Sequence, residues 1–84
     1  MLVLTIRVGE RVVIGDNVVT ILGLSQQGVE FRLKTPQESP PTQFRLAEET
    51  LAVAEGVTVK VLEIGTVRSV KLGIQAPRNV PIHR

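Results

Sequence analysis

The chain begins with an alternation. In "MLVLTIRVGE", Leu2, Leu4 and Ile6 fall on one side of an extended backbone and Val3, Thr5 and Arg7 on the other, until Gly9 ends the run. "RVVI" reads as a second short strand. Gly15-Asp16-Asn17 after it supplies the tolerance for positive φ that a tight turn needs. "VVTILGL" and "GVEFRLKT" flank "SQQG" as a hairpin, closed by Pro36. Further on, "VTVKVLEI" alternates again, with Val57, Val59, Val61 and Glu63 opposite Thr58, Lys60, Leu62 and Ile64. A Gly65-Thr66 turn leads into "VRSVKLGIQ". Pro77 breaks that run, and "NVPIHR" is a last short strand, which Pro81 confines to an edge or rim.

The middle of the chain reads differently. "QESPPT", residues 37–42, is a breaker, because Pro40-Pro41 can continue neither a helix nor a central strand. Thr42 then serves as an N-cap for "QFRLAEETLAVAE". Phe44, Leu46 or Ala47, Leu51 and Ala54 form a helical stripe, and Gly56 suits the position past the helix end. The pattern therefore predicts one helix of about 12 residues, too short to be stable without tertiary packing.

A faint internal repeat runs through the strands. "VVTILGLSQQGVEFRLKTP" and "TVKVLEIGTVRSVKLGIQAP" share the plan strand, turn, strand, small residue, proline. Val19/Val59, Leu22/Leu62, Val29/Val70 and Pro36/Pro77 match across a one-residue gap in the turn. Such a match arises either from partial duplication or from a shared hairpin plan.

Composition narrows the function. Eighty-four residues make one domain, small enough that a partner chain covering apolar surface would help it. Phe31 and Phe44 are the only aromatics, so base-stacking platforms are disfavoured. There is no cysteine and only one histidine, His83, so neither disulfides nor a metal site is expected, and no cofactor. No serine sits in a nucleophile elbow, no glycine pattern makes a phosphate loop, and Glu48-Glu49 read as a solvated face; an enzyme is not expected. No apolar run reaches the length of a membrane span, which leaves a cytoplasmic protein as the default. The net charge is only +2, but after Glu63 come Arg68, Lys71, Arg78 and Arg84 with no acid, whereas residues 37–56 carry four glutamates against Arg45. That basic end is either a ligand surface or ordinary solubilising charge.

Specific strings shift this balance. "MLVLTIRVGERVVIGD" and "VTVKVLEIGTVRSVKLGIQAPRNVPIHR" resemble the two halves of the CsrA/RsmA family of small bacterial RNA-binding translational regulators. The markers are an initiating "MLxLTxRxGE", an "IGD" turn, a strand pair ending in "GIxAP" and a closing "VxxHR"-type strand, over residues 1–16 and 57–84. The family's halves are normally contiguous; here residues 17–56 stand between them as an inserted hairpin and helix. A helix usually follows the family's closing His-Arg, so the helix read at 43–55 would be its displaced counterpart. Alternatively, residues 1–55 are a diverged complete copy and 57–84 a second, partial one. Ile6 stands where the family often has arginine, and Pro81 lies within the closing strand.

The resemblance implies a mostly β fold with one α-helix inserted mid-chain: one domain, residues 1–84, of small antiparallel sheets in an interleaved homodimer. A partly duplicated chain could instead close its own pseudo-dimer. The first strand of one chain lies beside the last strand of the other, giving a composite RNA site of Leu4, Thr5 and Arg7 from one chain with Ala76, Pro77, Arg78, Val80, Ile82, His83 and Arg84 from its mate, and Lys71 for a phosphate. The implied ligand is a GGA-bearing hairpin loop or single strand of mRNA or small RNA, with no membrane and no small-molecule substrate. The competing reading is a protein-interaction or decoy subunit that pairs with another family member or masks its RNA face.

Overall fold

The computed structural model describes residues 1–36, 42–65 and 68–84. Among them the chain forms nine strands: β1 (Leu2–Arg7), β2 (Arg11–Ile14), β3 (Asn17–Leu24), β4 (Gly28–Lys34), β5 (Gln43–Leu46), β6 (Thr50–Ala54), β7 (Val57–Ile64), β8 (Ser69–Gln75) and β9 (Ile82–His83). They build two antiparallel sheets, β1-β8-β7-β6 and β5-β4-β3-β2-β9. The sheets share one apolar core to which Ile6, Leu51, Val59, Val61, Val70 and Leu72 contribute from the first and Val12, Ile14, Val19, Ile21, Val29 and Phe31 from the second. No polar side chain is buried among the described residues. A core of Val, Ile and Leu on alternating positions is what β-branched residues on a half-buried pleat produce.

The predicted helix over 43–55 is absent. Thr42 caps nothing helical; "QFRL" is β5, "TLAVA" is β6, and Gly56, at φ +74, belongs to the β6–β7 turn. The residues compatible with a helical stripe also obey a period of two. Leu51 and Val53 face the core while Thr50, Ala52 and Ala54 face out, and Phe44 is 47% exposed. Sheet pairing decides between the two periods, because β5 pairs with β4 in one sheet and β6 with β7 in the other. The breaker at 37–42 and the Gly65-Thr66 turn fall largely on residues 37–41 and 66–67, outside the described residues.

The simple alternation of β7 also changes midway. A register shift between Val61 and Glu63 makes a bulge, so Val61 is buried, Glu63 is exposed and Ile64 packs against the core. β3 carries the same irregularity between Ile21 and Gly23.

That correspondence is part of an internal two-fold relation. Pairing of Ile6 with Val70 in β1–β8 is matched by pairing of Arg45 with Val29 in β5–β4. Glu10 accepts the Arg7 N–H at 2.8 Å through its carboxylate, and Glu49 accepts the Leu46 N–H at 2.6 Å in the same way. The Ile21 N–H donates to the Glu10 carbonyl and the Val61 N–H to the Glu49 carbonyl, each at 3.0 Å. Gly9 and Glu48 take positive φ at the same point of the turn, +91 and +71. Thus β1, β2, β3 and β4 correspond to β5, β6, β7 and β8, and β9 is the extra strand, paired with β2 through Val13↔His83 and Ile14↔Ile82.

Candidate functional site

Two strand edges carry the predicted site residues. β1 is the outer strand of one sheet, and β9 the outer strand of the other. β1 is set by its six-residue register with β8, which turns Ile6 fully inward and leaves Thr5 and Arg7 exposed. The segment reaching β9 is held at two turns. Pro77 packs beside Gly56, and the Gly15 N–H donates to the Pro81 carbonyl at 2.8 Å. Proline suits this position because its carbonyl is used and a donor is not needed. The turn in between is closed by the Val80 N–H donating to the Pro77 carbonyl at 3.1 Å.

Following this path, β9 brings Arg84 to the turn after β1. Arg84 lines a cleft with Ile6, Gly9, Glu10, Arg11 and Thr20. Arg7 lines the adjoining cleft with Val8, Glu10 and Arg68. Glu10 borders both, and its carboxylate is occupied by the Arg7 backbone N–H. Residues from the two ends of the sequence, Arg7 and Arg84, therefore flank one turn. Four arginines converge there, and their planar donor forks suit phosphate oxygens and base edges.

The remaining predicted residues separate by role. Ala76, Val80 and Ile82 are half-buried against the core, as is Leu4, so these four mainly shape the surface. Pro77, Arg78 and His83 are exposed. Lys71 lies opposite Thr5 on β8, in a separate cleft with Glu63, Gly65 and Ser69, and its ammonium is 3.6 Å from the Glu63 carboxylate. An exposed pair of this kind is worth at most about 1 kcal/mol, so it leaves Lys71 open to a stronger anion. Reading the sequence missed Glu10, Arg11, Thr20 and Arg68 as site members. Glu10 and Arg11 directly follow the "RVG" of the first strand, and that adjacency was the available signal.

No group of His, Cys, Asp and Glu among the described residues could hold a metal, and no helix is long and apolar enough to cross a membrane. The family model described as CsrA, a global regulator protein family, matches the chain in two segments, residues 1–40 and 44–84. The second segment begins inside β5, where the internal two-fold relation also restarts. No curated protein and no solved structure shows a significant match.

Proposed function

The chain belongs to the CsrA family of global regulators, and from that premise we propose that it binds GGA-bearing loops or single strands of mRNA or small RNA along the β1 and β9 edges, modulating translation or message stability. Members of this family are bacterial, RNA-binding post-transcriptional regulators. The observation that carries the reading here is the seating of Arg84, directly after the last strand, in one cleft with Ile6 and Arg11, next to the cleft of Arg7. Outer strands offer backbone N–H and C=O groups that can read the edges of unpaired bases, with no need of aromatic stacking. Arg7 and Arg84 neutralise phosphates and fix register, and Leu4, Val80 and Ile82 give the bases an apolar seat.

A gel shift with a GGA hairpin against a GGA→CCA control tests this. The wild-type protein should prefer GGA, and Arg84→Ala should abolish specific binding. With about three phosphate contacts, the log–log salt slope should lie near about −2. Equal affinity for the two RNAs would refute the proposal.

A further inference from the structure

The internal two-fold relation allows two equivalent faces to be compared within one chain. The first is the β1–β9 face. Its counterpart lies where β5 and β6 meet, and there, apart from the shared Glu10 and Glu49, the side chains differ. Leu4, Thr5, Ile6 and Arg7 are replaced by Gln43, Phe44, Arg45 and Leu46, as the matched registers on β8 and β4 fix. Phe44 and Leu46, 47% and 46% exposed, stand where Thr5 and Arg7 stand on the first face. Arg11 has become Thr50.

Among the described residues no strand stands beside β6 as β9 stands beside β2. β9 continues the second sheet beyond β2, but β6 is the last strand of the first sheet among the described residues. The sequence agrees: Pro77 is followed by "RNVPIHR", whereas the matching Pro36 is followed by "QESPPTQ", which has no basic residue. At the start of β6 one outward carbonyl is taken from within. Successive carbonyls of a strand face opposite sides, and that of Glu49 is taken by the Val61 N–H, so the Thr50 carbonyl faces away from β7. Arg45 Nε donates to it at 3.1 Å, and its Nη1 donates to the Phe44 carbonyl at 2.8 Å. The one arginine on this face is thus spent on its own backbone.

We infer that the chain supplies both halves of the family's interleaved pair by itself and keeps a single RNA-binding face, formed by β1 and β9, while the β5–β6 face is closed to RNA. This rests on the proposed RNA-binding function and adds its stoichiometry. A monomer of 9.2 kDa should bind one RNA.

Native mass spectrometry with a short GGA-containing single strand, taken to several-fold excess, reads this directly. The expected species is one chain with one RNA, lost in Arg84→Ala and retained at wild-type occupancy in a Phe44→Ser, Leu46→Ser double variant. Two RNAs on one chain, a complex built on two chains, or binding that survives Arg84→Ala but disappears in Arg45→Ala would each overturn the inference while leaving RNA binding in place. No bound RNA at all would remove the proposed function and the inference together.

Discussion

Gly15 joins two tasks at one backbone position. Its φ of +60 closes the β2–β3 turn, and its N–H holds the Pro81 carbonyl. A β-carbon there would meet Val80 Cγ1 at 3.2 Å. Gly15→Ala should cost about 1–2 kcal/mol from the left-handed conformation alone, measurable as a lower urea midpoint. It should also loosen β9 and so weaken RNA binding by more than a purely global loss of stability would, measured at a temperature where the variant is still folded. If affinity is unchanged while the midpoint falls, the turn does not position β9. The positive φ at Gly15 was legible from Gly-Asp-Asn. The positive φ at Glu48 was not, because a glutamate gives no turn signal and its conformation is set by the pairing on both sides.

At the scale of elements, residues 43–54 give the sharpest contrast. A helical stripe would bury Phe44 with Leu51 and Ala54, whereas β5 and β6 bury Leu51 and Val53 and expose Phe44. Leu51→Ala should therefore cost about 2–4 kcal/mol, and Phe44→Ala less than about 1 kcal/mol, by denaturant titration. Comparable losses would restore the helical reading. The other strands were legible because their alternation is clean and their turns carry glycine or a short polar loop, as at β1, β3–β4 and β7. The β5–β6 segment was not, because seven apolar positions over eleven residues, three of them alanine, fit either period, and the choice is made by pairing with strands β4 and β7. The repeat over 18–36 and 58–77 coincides with β3–β4 and β7–β8, but its extension to β1–β2 and β5–β6 left almost no shared residues beyond Glu10 and Glu49. What survived there was hydrogen bonding, which a residue comparison does not see.

For the whole molecule, the consequence is a core shared by both halves, with strands exchanged between them: β1 completes the sheet of β6, β7 and β8, and β5 completes that of β2, β3 and β4. Neither half keeps its own sheet without the other, so unfolding should be one cooperative transition. If the chain supplies both halves by itself, its midpoint should not move over about a hundredfold dilution; a shift to lower stability on dilution would indicate that a second copy is needed. Arg7 and Arg84 could be picked out by motif, yet their meeting depends on the route of residues 76–82 past Gly56 and Gly15, which no local pattern encodes. In an assembly of identical subunits every substitution is made twice, so one side cannot change without the other. A covalent tandem is released from that rule: Phe44 and Leu46 stand on one face where Thr5 and Arg7 stand on the other, so each face is free to change by itself.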